Sequence, residues 1–505
     1  MLSKVSTPCN DQITNCIKIS ILIFFCLSLV NIALLPLGLD EAYYWYWAKH
    51  PDLSYFDHPP LLAWIIWLGT NLGNDHEFFV RIGGFIFLWV GLGFSFATSR
   101  LLFPRAPKTF SWEYLFVLNL TIIVPGVSII QTPDTPLLAC WMLALYFGAS
   151  VVMHQQKYAW YGLGLAIGLG LLSKYTMVLF VPSLLLFLIL SPKHRFWFGR
   201  KEPWIGAMLA LIVWLPVLIW NIQHDWVSFH FQLQHGLVAS SNSNDWLEKL
   251  GLYIAGQAII VSPLLGLSFV GSSLAASKED MQNPVYIFLF CMTWPTIIFF
   301  AWSSLQGNQA EPNWPAPAYI AGILLSWALL RHHKLTTVKY KVIQFVIAVS
   351  LVINITLRSH LLIPWLPIPP KHDRLREFAG WPALGQQIKK IIDTYPQTKE
   401  WFILGDRGTT LAEALYYTQR HVKFPLLGFD PQRPERYLFL HNVPQRFTGK
   451  NAIIVARQPT LVTKRFAKFF TKLTMIAPRY QHRYRNVTIE RFNISLYVGE
   501  NFQPR

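Results

Sequence analysis

Two carboxylates stand side by side where an apolar run of the chain ends. Asp40 and Glu41 follow Leu39 directly, and Tyr43, Tyr44, Trp45, Tyr46 and Trp47 come next. Acids at such a boundary can accept protons, and an ionisable group there needs a polar cavity or a partner. The plainer alternative is a helix-end carboxyl dissolved among headgroups, with the rings forming an interfacial belt along a short in-plane helix, apolar side down. Asp57-His58-Pro59-Pro60 follows. The paired prolines suit the first turn of a helix over PPLLAWIIW, which keeps His58 near the acids. Its imidazole suits a phosphate, a metal or a helix cap. Asp134, between prolines in QTPDTPLLACW, is either an ordinary N-cap or a second acid of the same site. Lys174 is either a snorkelling lysine or a cation for a phosphate. Arg81 is a further cation, and Glu311 and Asn313 precede another apolar run. His224, His230 and His235 have mixed spacing and match no zinc motif, so a divalent metal stays open and no other cofactor is indicated.

Carboxylates suit removal of a proton from a hydroxyl, cations suit a phosphate, and aromatic faces suit sugar rings or lipid chains. Together these requirements describe sugar transfer from a lipid phosphate.

The elements that position these residues are set by composition. Of the 505 residues, 53% are hydrophobic and only 14% charged, against about a quarter charged in a soluble domain. Apolar runs of span length recur through the first 360 positions, so the chain is an integral membrane protein with many helical spans. Spans are predicted near 17–38, 81–103, 112–130, 136–153, 158–172, 175–190, 204–220, 250–273, 284–302, 316–330 and 341–358. The basic clusters at 100–108, 154–157, 193–201 and 331–341 all fall on one side if 158–190 crosses twice. The positive-inside rule then gives about eleven spans with the N-terminus cytoplasmic and the C-terminus outside. Asp40, Glu41, Asp134 and Lys174 would all lie at the outer face. GLGLAIGLGLL (162–172) lies in an apolar span and is read as a close-packing surface, not a phosphate loop.

Two domains follow: a transmembrane core over 1–358 and a soluble, extracytoplasmic α/β domain over 359–505. The latter has strand-like runs EWFILGD, RYLFLHN, NAIIVARQ and ISLYVGE and a helical GWPALGQQIKKIIDTY. From residue 360 onward, 23 Lys and Arg face 10 Asp and Glu. That favours an anionic leaflet or polymer, or is only a solvated basic surface. Nucleic acid is disfavoured, because the remaining cations sit between apolar spans. The cysteines all precede this domain, so it has no disulfide framework.

The first-segment motif LDEAYYWYWAKHPDLSYFDHPPLLAW, followed by TPDTPLLACWMLALY, GLGLLSKYT and EPNWPAPAY in that order, resembles the bacterial membrane glycosyltransferases related to protein O-mannosyltransferases and the lipid A aminoarabinose transferase. The resemblance covers about residues 17–330 and implies a GT-C fold, a multi-span helical core with a soluble C-terminal domain. It also implies a bacterial inner-membrane location and an inverting transfer from a polyprenyl-phosphate sugar to a glycolipid, glycan or protein hydroxyl. Asp40 would be the catalytic base, with Glu41 and Asp134 beside it. Asp57, His58, Arg81, Lys174, Tyr43, Tyr44, Glu311 and Asn313 would bind substrate. Relatives often carry Lys where this chain has His58, and a neutral imidazole holds a phosphate less strongly. A lipid-linked sugar flippase is the alternative; it would want charges near the bilayer midplane and related halves, and the ionisable residues here sit at span ends.

Overall fold

The structure, a computed structural model, describes residues 8–237, 246–261, 280–306, 311–332, 337–370, 372–395, 400–405, 408–421, 427–429, 447–457, 462, 466–480, 483–485, 487–488 and 494–503. The chain is mostly helical. In order come α1 (Pro8–Leu34), α2 (Leu39–Lys49), α3 (Leu61–Gly73), α4 (Glu77–Leu102), α5 (Lys108–Asn119), α6 (Ile123–Ile129), α7 (Asp134–His154), α8 (Ala159–Leu171) and α9 (Phe180–Leu190). There follow α10 (Lys201–Gln223), α11 (Val227–Leu237), α12 (Trp246–Val261), α13 (Pro284–Cys291), α14 (Trp294–Leu305), α15 (Ala316–His332) and α16 (Thr337–Leu362). The C-terminal region adds α17 (Trp381–Asp393) and α18 (Gly408–Gln419) among strands β1 (Trp401–Gly405), β2 (Leu427–Phe429), β3 (Asn451–Ala456), β4 (Phe470–Tyr480) and β5 (Ile494–Phe502).

Among the described residues, six helical segments are long and apolar enough to cross a membrane, or up to eight if each bent pair is one span. The expected span 112–130 is instead α5 and α6, which meet at 70°. Thr121 lies in the gap, where its hydroxyl donates to the Leu118 carbonyl at 2.7 Å, and Val124 N is 3.5 Å from its oxygen. The run 158–190 does divide, as α8 and α9 with Lys174 in the gap. The second half of the expected span 250–273 and the expected strand at 436–442 lie outside the described residues.

The described chain forms two compact units. The first comprises Met1–Asn31, His58–Leu62 and Gly83–Ser359. Its centre is α7, with 78% of its apolar window buried, whereas α16 has only 17% buried and carries outward Val342, Phe345 and Val352. Backbones touch where α8 meets α10: a Cβ on Gly164 would stand 2.0 Å from the Gly206 carbonyl oxygen, and one on Gly206 would stand 2.4 Å from that of Trp160. The glycine-rich run is thus a packing surface. A buried arginine, Arg358, joins α16 to α1. It donates to Asn354 Oδ1, the Phe24 carbonyl and Ser28 Oγ, so the guanidinium is satisfied by neutral acceptors.

The second unit comprises Ile32–Asp57, Ala63–Ile82 and His360–Arg505. Its sheet has the order β2-β1-β3-β5-β4, with β1 parallel to β2 and β3, and β5 antiparallel to β3 and β4. Phe402 pairs with Leu427 and Leu404 with Ile454 across the parallel strands. β1 and β3 are buried along their whole length, as strands covered on both faces must be. α17 is amphipathic, burying Leu384, Ile388, Ile391 and Ile392 at helical spacing.

Replacing Gly164 by Leu forces α8 and α10 apart. The expected cost is about 1–3 kcal/mol, read as a lower unfolding temperature of the detergent-solubilised protein relative to Gly93→Leu, where a Cβ meets nothing.

Candidate active site

The second unit contains a sealed ion pair. α2 begins one residue after Gly38, and successive helix positions are turned by about 100°, so Asp40 is exposed while Glu41 is fully buried. Glu41 accepts from Arg81 Nε at 2.8 Å and from Nη2 at 2.7 Å, a bidentate pair with both side chains 0% exposed. Its Oε2 also accepts from Gly38 N at 2.9 Å, the carboxylate half of a capping box. The remaining guanidinium hydrogens go to the carbonyls of Ile32, in the last turn of α1, and of Leu35 and Pro36, just beyond it. One side chain therefore ties the end of α1, the start of α2 and the first turns of α4. Glu41 and Arg81, expected on the reacting groups, are instead committed to each other, and Asp40 is the acid of the pair left accessible.

The aromatic run forms no lipid-facing belt and no apolar underside. Every residue from Glu41 to Ala48 is buried. Trp47 stacks on Tyr55 at 4.5 Å, and Tyr43 and Tyr44 pack on Trp47 at 4.8 and 4.9 Å. Tyr43 Oη donates to Asp57 Oδ2 at 2.8 Å, and Asp75 accepts from Trp45 Nε1 at 2.7 Å and pairs with Lys49 at 2.6 Å. Rings this large hold an irregular segment rigid by burying area on all sides.

The first unit contains the other cluster. Asp134, 2% exposed, starts α7. Its Oδ1 accepts from Lys174 Nζ at 2.8 Å and its Oδ2 from Asn313 Nδ2 at 2.6 Å, so it bridges a cation and an amide and does not cap its own helix. Lys174 projects from extended backbone between α8 and the following turn. Ser173 Oγ donates to the Pro133 carbonyl at 2.6 Å and pins that backbone to the start of α7. Leu61 N donates to the Leu172 carbonyl at 2.9 Å, which brings the segment carrying the partly buried His58 to the same break. Glu311 shares the turn of Asn313 but is exposed and does not join Asp134. With one of its three hydrogens on Asp134, Lys174 keeps two for an anion, and Asn313 and His58 can add to it. His224 bonds the Trp220 carbonyl at 2.8 Å and stacks on its ring; the His235 side chain lies outside the described residues. Among the described residues, no three His, Cys, Asp or Glu side chains come together to hold a metal ion.

The pattern search missed α18. Glu413, Tyr416, Tyr417 and Arg420 fall at i, i+3, i+4 and i+7, so they share one face. The same spacing is present in LAEALYYTQR, where it reads as an ordinary half-polar helix.

Arg81→Met leaves Glu41 buried without its counter-charge, which costs about 3–5 kcal/mol. Adding Glu41→Leu should restore much of that loss. Thermal unfolding of the two variants in detergent measures both effects.

A family model described as dolichyl-phosphate-mannose-protein mannosyltransferase matches residues 57–220. A lipid A galacturonosyltransferase of Rhizobium johnstonii is 26% identical over 431 residues, covering 82% of this chain and 84% of that protein. An undecaprenyl phosphate-alpha-4-amino-4-deoxy-L-arabinose arabinosyl transferase of Photorhabdus laumondii is 22% identical over 256 residues, 50% of this chain and 46% of that protein. Here the match spans about half of the relative. The crystal structure of ArnT from Cupriavidus metallidurans in the apo state superposes with a TM-score of 0.65 at 14% identity, over 96% of this chain and 98% of that one. The same protein bound to undecaprenyl phosphate gives 0.64 at 15% identity over the same shares. The fold is thus that of ArnT, helical spans followed by a small C-terminal sheet. By sequence the chain is similar to lipid-linked membrane glycosyltransferases, among them a lipid A galacturonosyltransferase and the aminoarabinose transferases, and by fold it is like ArnT.

Proposed function

We propose that the chain is an inverting glycosyltransferase that takes a sugar from undecaprenyl phosphate and places it on a glycolipid hydroxyl at the outer face of the bacterial inner membrane. The observation that carries this reading is the exposed Asp40 fixed beside the buried Glu41–Arg81 pair. A rigidly held, accessible carboxylate is what a hydroxyl nucleophile needs as proton acceptor. The donor class is supported by relatives named for undecaprenyl-phosphate sugars, and the acceptor class by a relative named for lipid A. In the topology we favour, about eleven spans place the N-terminus in the cytoplasm and the C-terminal domain outside.

In the reaction, the acceptor hydroxyl gives its proton to Asp40 as its oxygen attacks the anomeric carbon. The bond from that carbon to the phosphate oxygen breaks, the lipid phosphate leaves with the electron pair, and attack from the opposite face inverts the centre. The departing phosphate gains negative charge; within the first unit Lys174, with Asn313 and His58, is suited to hold an anion of that kind. Tyr43 and Asp57 keep the aromatic segment around Asp40 in place, and Tyr44 packs with them.

Asp40→Asn should remain in the membrane fraction yet lose at least about a hundredfold in transfer. Mass spectrometry of glycolipids from cells making either form reads the added sugar. Normal modification by a correctly inserted Asp40→Asn protein sinks the proposal. Lys174→Ala should instead weaken donor binding and chemistry together, seen as a raised donor KM with a lowered kcat.

A further inference from the structure

One face of α18 is directed at the chain around Asp40, within the same unit. Tyr417 Oη accepts from Leu37 N at 2.8 Å, in the turn that leads into α2 and three residues before Asp40. Tyr416 Oη donates to the Asp75 carbonyl at 2.8 Å, and its ring meets Trp45 edge-on at 5.0 Å. Arg420 pairs with Glu77 at 2.6 Å, one helical turn before Arg81 on α4. This stripe therefore holds the beginnings of both helices that the Glu41–Arg81 pair joins.

Glu413 completes the stripe one turn before Tyr417. It is 0% exposed, and neither carboxyl oxygen has a hydrogen-bond partner among the described residues. The charged groups in its surroundings are Arg457, Asp40, Glu377 and Glu41. Burial pushes this carboxyl well above the usual range; Arg457 offsets only part of that, and the three acids push it further up. An ion in such a place is only partly compensated, so the protonated form is favoured.

We infer that this stripe of α18 is a positioning element for Asp40, with Tyr417 holding the turn before it and Glu413 enclosed near it. The C-terminal region then helps to orient the proton acceptor and is not a detachable appendage. The catalytic part of the inference rests on reading Asp40 as the base.

The test uses the full-length protein in nanodiscs. Tyr417→Phe removes the acceptor of the Leu37 amide while keeping the ring. Amides of residues 37–41 should exchange with deuterium about tenfold faster than in the parent, while those of α7 are unchanged. With an undecaprenyl-phosphate sugar extracted from the host bacterium as donor, kcat should fall about tenfold and donor KM stay within about twofold. Glu413→Gln should remove an infrared carbonyl band of a protonated carboxylic acid seen in the parent at neutral pH. In Asp40→Asn that band should disappear at lower pH than in the parent, because the neighbouring anion that favours the proton is gone. Unchanged exchange at 37–41 in Tyr417→Phe, no Glu413-dependent band, or a band indifferent to Asp40→Asn each overturns the inference. If Asp40→Asn transfers sugar normally, the base reading fails by itself, and the exchange and infrared results still decide what α18 positions.

Discussion

A single guanidinium organises the acidic segment. Arg81 lies where α1 ends and α2 begins, and it serves both: three carbonyls at and just beyond the end of α1 and a carboxylate in the first turn of α2. Exchanging such a buried pair for apolar side chains often leaves stability unchanged or raises it. What the pair supplies is direction. Carbonyls at a helix end and a bidentate carboxylate accept only one guanidinium placement, so the backbone that carries Asp40 is held in one register. With Glu41 neutralised and enclosed, its neighbour Asp40 is the acid that can meet a ligand. Adjacent carboxylates thus acquire opposite tasks from a difference of one helix position.

The cluster around Asp134 follows a different logic. There the carboxylate is buried, and a lysine and an asparagine converge on it. The acid holds the cation in position without using all its hydrogens. The hydrogens of Lys174 that Asp134 does not use are suited to meet a further anion. Ser173 and Leu61 matter because they fix backbone, and a short polar loop between apolar helices has little else to set its course.

Much was legible in advance. Apolar run lengths located α4, α7, α10, α15 and α16 to within a few residues, whereas α1 begins nine residues before its expected span. The strands at 401–405, 451–456 and 494–502 were visible as β-branched and aromatic runs. The bend between α5 and α6 is not visible in the sequence because a run of apolar residues does not register where one helix stops and the next begins at an angle. Aromatic residues beside a predicted span read naturally as a membrane belt, since hydropathy cannot distinguish a ring facing lipid from one packed on another ring. α18 passed unnoticed because its polar stripe has the same composition as a solvated face.

Local chemistry alone determined that this chain spans membranes, that its acids and lysine stand at the ends of spans, and that its last part contains a sheet. Those properties follow from the transfer cost of each stretch and from side-chain periodicity, both of which act over a few turns or one strand. Tertiary structure alone decided that Arg81 belongs to Glu41, that Asn313 reaches Asp134 across 179 residues of sequence, and that Tyr417 supports Leu37 across 380. The reason is that a charged or polar group is satisfied by whichever complementary group the fold brings within 3 Å, and sequence distance says nothing about which one that is.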